Sequence, residues 1–169
     1  MARLFLAVWP PEEVVEGLCS LQRKDRRGVR FTRPDSWHVT LRFLGECDPA
    51  DVVATMADVP AAAAAAARLG PAIDVVGDRV LAIPVAGLDE LAATVTRATR
   101  DVGDRPPRRR FHGHLTIARI KPFADLSPPI GTLVESSFDV TEIALVESRL
   151  HPDGARYESL ETWPVGTSR

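Results

Sequence analysis

Apolar side chains recur with two different periods along this chain, and the switches between them predict its elements. Arg3-Leu4-Phe5-Leu6-Ala7-Val8-Trp9 is a short apolar run that reads as a buried opening strand. Pro10-Pro11 followed by Glu12-Glu13 starts a helix, with proline in the first turn and acids at the positive end of the dipole. Val14, Val15, Leu18, Cys19 and Leu21 carry helical spacing to about Arg26. Val29 to Phe31 reads as a short strand and Arg33-Pro34-Asp35-Ser36 as a turn. Trp37 to Leu44 alternates and is closed by Gly45, and Asp48-Pro49 caps a helix to about Val59. The alanine run after Pro60 has helical propensity but is bounded by Pro60 and Gly70-Pro71. Val80 to Pro84 is a strand, Leu88 to about Asp101 an amphipathic helix, and Phe111 to Ile120 a second alternating strand. Phe138 to Glu147 and Ala155 to Thr162 form a hairpin around His151-Pro152-Asp153-Gly154. Strands and about three helices without regular βα alternation predict an α+β fold built on antiparallel sheet.

Composition narrows the picture only a little. The chain has 169 residues, 45% hydrophobic and 26% charged, with 21 basic against 23 acidic residues. These are values for a packed globular protein, and the longest apolar run, Ala61 to Ala67, is far short of the ~20 residues of a spanning helix. Disordered, fibrous and membrane-spanning classes are therefore excluded. Cys19 and Cys47 lack zinc or CxxC spacing and read as two reduced core thiols. The opening apolar run lacks a small-residue cleavage site, so a cytoplasmic protein is expected.

One long-range echo points to chemistry. Residues 38 to 41 read His-Val-Thr-Leu and residues 114 to 117 read His-Leu-Thr-Ile. On a strand, His and Thr at i and i+2 share a face, roughly 7 Å apart, while the apolar residues go to the core. Thr offers a hydroxyl to a phosphate oxygen, and His gives or takes a proton near neutral pH. In-line displacement at phosphorus needs a base on one side and an acid on the other, and two such strands supply both without a metal.

These motifs, in the contexts "RLFLAVWPP", "WHVTLRFLGE", "FHGHLTIAR" and "ALVESRLHPDGARYESL", resemble the 2H phosphoesterase superfamily. The similarity is specifically to the RNA 2′,3′-cyclic phosphodiesterases once called 2′-5′ RNA ligases, and it spans nearly the whole chain. It implies a single domain over 1–169, bilobal and α+β, with two pseudo-symmetric lobes of antiparallel sheet, helices outside and a central cleft. It also implies metal- and cofactor-free hydrolysis of a 2′,3′-cyclic phosphate RNA end to a 2′-phosphate, and some members join RNA ends by a 2′-5′ bond. Carried over by motif, His38 is the proton donor to the leaving 3′ oxygen and His114 the acceptor that activates water. The resemblance further implies that the alanine run ends as a strand near Ala64 to Leu69. RNA ends or cyclic nucleotides are the implied partners, with no membrane and a monomeric enzyme.

Around the four motif residues, Thr40 and Thr116 are expected to hold non-bridging phosphate oxygens. Arg42 shares the parity of His38 and Thr40, so alternation aims it into the cleft. Arg119 occupies the position of a phosphate-contacting arginine in relatives, but strict alternation from His114 sends it to the wrong face unless a bulge intervenes. His112 has the parity of His114, a spacing known for metal ligands, but lacks a Thr two residues later and a carboxylate or cysteine beside it. Arg105, Arg108, Arg109 and Arg110 precede the second motif, and Arg23, Lys24, Arg26, Arg27, Arg30 and Arg33 precede the first, forming a candidate track for an RNA backbone. Phe31 and Tyr157 are candidate stacking surfaces for a terminal base, with core packing as their alternative. His151 sits in a turn. Three other functions compete with RNA-end hydrolysis: an RNA-end binding module without turnover, a phosphodiesterase of small cyclic nucleotides, and a metal hydrolase on His112 and His114.

Overall fold

The computed structural model describes residues 1–59, 64–127 and 129–166. The elements in chain order are β1 (Ala2–Val8), α1 (Glu12–Leu18), β2 (Val29–Phe31), a 3-10 turn (Pro34–Ser36), β3 (Val39–Cys47), α2 (Pro49–Met56), β4 (Ala66–Leu69), β5 (Asp74–Val76), β6 (Val80–Ala86), α3 (Asp89–Ala98), β7 (His114–Ile120), β8 (Ser136–Asp139), β9 (Glu142–His151) and β10 (Gly154–Pro164). The fold is α+β with antiparallel pairing throughout the sheet.

The strand order is β10-β9-β1-β3-β7-β6-β4-β8, with β2 on β7 and β5 on β6. Outward from the β3–β7 junction the two halves mirror one another. In each, an antiparallel pair is connected through a helix: β1–α1–β3 on one side, β6–α3–β7 on the other. The two motif strands meet in the sheet through a single ladder pair, Val39 with Leu115, and β2 adds three more pairs along the same edge of β7. Val39 and Leu115 are the second members of the two His-x-Thr motifs, between histidine and threonine. Although β8 and β9 lie near opposite ends of the strand order, only Val140 and Thr141 separate them in the chain, so the sheet curls back on itself.

All three helices pack on one face. Val14 and Leu18 of α1, Val52 and Met56 of α2, and Leu91, Ala92 and Val95 of α3 join Leu4, Leu6, Val39, Leu115 and Ile117 in one buried cluster. Burial of this apolar surface, at roughly 25 cal/mol per Å², is the main term holding the two halves together. The opposite face carries a second, smaller cluster of Phe5, Ala7, Ala144 and Val146, with Trp9 and Tyr157 packed against it.

Several predicted boundaries move for physical reasons. Helix α1 ends at Leu18 rather than near Arg26, because the charged stretch after Leu21 has no apolar positions left to bury. Tertiary contacts hold that stretch instead: Asp25 accepts from the Phe31 N–H at 2.9 Å, and Arg26 donates to the Ser127 carbonyl at 2.6 Å. The stretch predicted as one strand from Phe138 to Glu147 is split in two, since β8 pairs with β4 and β9 with β1. The alanine run does end as a strand, Ala66–Leu69, where β6 and β8 supply ladder partners that override helical propensity. Its front, residues 60–63, lies outside the described residues.

Gly45 does not close β3; the strand continues to Cys47 through it. Its φ is +71°, and a Cβ there would collide with the Asp104 carboxylate. Leu44 is left out of the ladder to β1, and its carbonyl accepts from the Asp104 N–H at 2.7 Å. Gly45→Ala should therefore cost about 2 kcal/mol or more, from left-handed strain and the displaced Asp104. Thermal unfolding measures it: a drop of roughly 4–8 °C is expected at this chain length, and an unchanged melting point would contradict the close approach.

Candidate active site

The motif strands deliver four polar side chains to the helix-free face. Val39 and Leu115 are fully buried on the core side, while His38, Thr40, His114 and Thr116 are half-buried on the other. Antiparallel geometry around the Val39–Leu115 pair sets Thr40 beside His114 and His38 beside Thr116. The two imidazoles are thus diagonal to each other, with Cα atoms about 8 Å apart by strand spacing.

Both strands then break alternation at the same place, one residue beyond the threonine. On β3, Ala7 opposes Thr40 but Leu6 opposes Arg42, so Leu41 is an extra residue. On β7, Ala82 opposes Thr116 but Leu81 opposes Ala118, so Ile117 is extra. Each bulge flips the following parity. Phe43 opposes Phe5 and Arg119 opposes Val80, which puts both on the face of the histidines. Phe43 and Arg119 are each five residues after their histidine, so the pseudo-symmetric positions carry an aromatic ring in one half and a guanidinium in the other.

Each imidazole is held through Nδ1 by a carbonyl two residues earlier: His38 Nδ1–H donates to the Ser36 carbonyl and His114 Nδ1–H to the His112 carbonyl, both at 2.8 Å. A carbonyl only accepts, so it fixes the tautomer and leaves Nε2 as the atom that exchanges protons. Nε2 of His38 lies 3.0 Å from the Thr40 hydroxyl. The His38 ring stacks on Phe5 at 4.8 Å, with Trp9 and Tyr157 edge-on at 5.4 and 5.1 Å. Trp9 is itself tied by Nε1–H donation to the Ser159 hydroxyl at 3.1 Å. Burial among these groups pushes the His38 pKa below its ordinary value; the Ser36 carbonyl opposes this, and the charges of His114 and Arg119 add to the lowering. Burial also lowers His114, opposed by the His112 carbonyl and reinforced by His112 and Arg109. His38 thus feels the charge of His114 and Arg119, and both rings favour the neutral form.

The chain has counterparts among known proteins. The family model for LigT like Phosphoesterase matches residues 8–77, which include the first motif. A protein of Thermus thermophilus named RNA 2′,3′-cyclic phosphodiesterase is 33% identical over 190 residues, covering 96% of this chain and 90% of that protein. The chain belongs to the LigT-like phosphoesterase family. A second relative of the same name, from Methanocaldococcus jannaschii, is 25% identical over 95% of this chain and 99% of its own length. The crystal structure of E. coli LigT complexed with 3′-AMP superposes with a TM-score of 0.79 at 28% identity, covering 97% of this chain and 98% of that one.

Within this LigT-like phosphoesterase, the outer residues sort differently from the sequence expectation. Arg42 does not enter the cleft. The Leu41 bulge turns it to the core side, where it is 3% exposed. Its guanidinium donates to the carbonyls of Phe43 and Asp104 at 2.7 Å and of Thr99 and Val102 at 3.3 Å, and its Nε to the Thr99 hydroxyl at 3.4 Å. It closes the C-terminal end of α3 and anchors the loop that leads toward β7. Arg119, by contrast, is brought to the cleft face by the very bulge that alternation alone could not supply. His112 lies beside His114, rings 6.1 Å apart, and among the described residues no group of three or more metal-ligand side chains forms around them. Arg109 of the basic loop is close enough for its charge to act on His114. Phe31 packs against the core, whereas Tyr157 faces His38.

Phe5, Trp9 and Phe43 are cleft-face residues that sequence reasoning missed. The signal for Phe5 and Trp9 was their odd parity in β1, opposite to Leu4, Leu6 and Val8; for Phe43 it was the repeated spacing of five residues after the histidine. Arg42→Met should destabilise the protein by on the order of 3 kcal/mol, because it strands several buried carbonyls. Melting should fall by about 6–12 °C. A variant that melts with the wild type yet loses turnover would return Arg42 to the cleft.

Proposed function

We propose that this phosphoesterase hydrolyses the 2′,3′-cyclic phosphate at an RNA end to a 2′-phosphomonoester, with His38 and His114 as the acid–base pair. The observation that carries the reading is the matched anchoring of the two rings: each Nδ1–H is taken by a carbonyl, and each Nε2 is left to one shared face. In the forward step His114 Nε2 takes a proton from water as the water oxygen attacks phosphorus. The bond from phosphorus to the 3′ oxygen breaks, and His38 Nε2–H gives its proton to that oxygen. The hydroxyls of Thr40 and Thr116, one beside each imidazole, donate to the non-bridging oxygens and hold the group for in-line attack. Every atom that moves a proton belongs to the chain, the water or the substrate, so the step balances without a metal or cofactor. With an RNA 5′-hydroxyl in place of water the same forward step forms a 2′-5′ bond. His114 takes the hydroxyl proton, the 5′ oxygen attacks phosphorus, and the 3′ oxygen leaves with the proton from His38.

His38 is the better acid for a physical reason. Its ring sits among Phe5, Trp9 and Tyr157, where an imidazolium is costly and releases its proton readily. A bound anionic phosphodiester offsets that cost and lets the ring charge when substrate is present. The resemblance gives the same assignment.

Replacing either His38 or His114 with alanine should lower kcat about 10²- to 10⁴-fold on a cyclic-ended oligonucleotide, with EDTA leaving the wild-type rate unchanged. Product analysis should find the 2′-monoester. Near-wild-type rates in either variant, or binding of the oligonucleotide without turnover by the wild type, would sink the reading. The pH dependence follows from the two lowered pKa values. One ring must be neutral and the other protonated, so kcat/KM, which reports the free enzyme, should peak below the ordinary histidine value of 6.5. In the complex the substrate's negative charge raises both pKa values, so the kcat profile should lie at higher pH than that of kcat/KM. A kcat/KM optimum above neutrality would contradict the burial that lowers both rings.

A further inference from the structure

The ladder that carries the catalytic motifs continues into a feature that the proposed chemistry leaves unused. On the edge of β7 that meets Val39, strand β2 also pairs, with Arg30 directly opposite Arg119. Directly opposed residues of an antiparallel pair share a face, and Arg119 is on the face of the histidines. Both arginines are exposed. Two like charges in this position repel and destabilise the sheet. Among the described residues neither has a carboxylate within ion-pair distance. The neighbouring charges are already engaged: Asp153 holds Arg156 at 2.8 Å, and Arg33 holds Asp35 at 3.1 Å. Arg30 makes one long contact, donating to the Asp153 carbonyl at 3.4 Å, where the tip of the β9–β10 hairpin reaches it.

We propose that Arg30, with Arg119 beside it, binds a second phosphate, the one on the 5′ oxygen of the nucleotide that carries the cyclic phosphate. This rests on the cyclic-phosphodiesterase reading above. An anion between the two guanidinium forks removes their repulsion and matches their donor geometry. The spacing fits. Thr116 opposes Ala82 and Arg119 opposes Val80, so the arginine pair lies one same-face step, about 7 Å, beyond the His38–Thr116 pair. A cyclic-ended RNA has both oxygens on the 2′,3′ side closed, so its next phosphate lies across the same ribose, on the 5′ oxygen. A substrate that spans both places is a nucleotide bearing a 5′-phosphate, which an RNA end always supplies and a plain nucleoside cyclic phosphate does not.

The test compares adenosine 2′,3′-cyclic phosphate with its 5′-phosphorylated form, for the wild type, Arg30→Gln and Arg30→Lys. The wild type should show at least tenfold higher kcat/KM on the 5′-phosphorylated substrate, carried by KM. Arg30→Gln should erase that preference while changing the rate on the unphosphorylated nucleoside less than twofold, and Arg30→Lys should restore most of it. Equal losses on the two substrates, or a preference that survives Arg30→Gln, would overturn the subsite. If the wild type turns over neither compound, the parent reading fails, and calorimetric binding then decides the subsite alone. Adenosine 3′,5′-bisphosphate should bind the wild type at least tenfold more tightly than 3′-AMP, with Arg30→Gln removing the difference. Equal affinities in the wild type would end the proposal.

Discussion

A single backbone pairing, Val39 with Leu115, sets the geometry of the whole site. The two halves share one core, yet in the sheet their motif strands touch at this one position only. Antiparallel pairing there places each histidine beside the other motif's threonine. The site is therefore a product of register: a slip by one residue would send the imidazoles into the core and Val39 and Leu115 into the cleft. Complete burial of those two apolar side chains on the opposite face makes that slip prohibitive. Trp37, 1% exposed, reinforces the register, since its Nε1–H donates to the Thr32 hydroxyl, and Thr32 in turn donates to the Thr116 and Ile117 carbonyls of β7.

The paired bulges at Leu41 and Ile117 divide labour between core and cleft. Without them, Arg42 would face the substrate and Arg119 would be driven inward. With them, the buried guanidinium finds carbonyls at the end of α3, and the exposed one stands on the face of the histidines. The pseudo-symmetry is thus structural while the chemistry is not symmetric. One half surrounds its histidine, which also feels the charge of Arg119, with Phe5, Trp9 and Tyr157, and the other sets Arg109 and His112 near its own. Burial lowers both pKa values, against an apolar wall at His38 and beside cationic neighbours at His114.

Much of this was legible in the residues. The period-2 runs at Trp37–Leu44 and Phe111–Ile120 gave both motif strands and the face of His38, Thr40, His114 and Thr116, because side-chain direction on a strand follows from parity alone. The Asp48-Pro49 start of α2 was equally local: the Asp48 carboxylate accepts from the Ala50 N–H at 2.9 Å. Helix α1 was read too long because its stop depends on loop contacts with Phe31 and Ser127, more than a local pattern can carry. The break between β8 and β9 is not visible locally because apolar Phe138, Val140, Ile143 and Leu145 run on across it, and only the partners of the two strands, β4 and β1, distinguish them.

Residue order alone determined which groups share a face: two His-x-Thr strands in one chain, each amphipathic with period 2, and hence a face bearing two imidazoles and two hydroxyls. Which of the remaining side chains stand beside them depends on the assembled sheet. A bulge is one residue left without a partner, and whether a residue has a partner is a property of the neighbouring strand, not of its own segment. That is why Arg42 and Arg119 exchange the faces that alternation assigns them, and why Arg30, eight residues before the first motif, comes to stand opposite Arg119 in the second half of the fold.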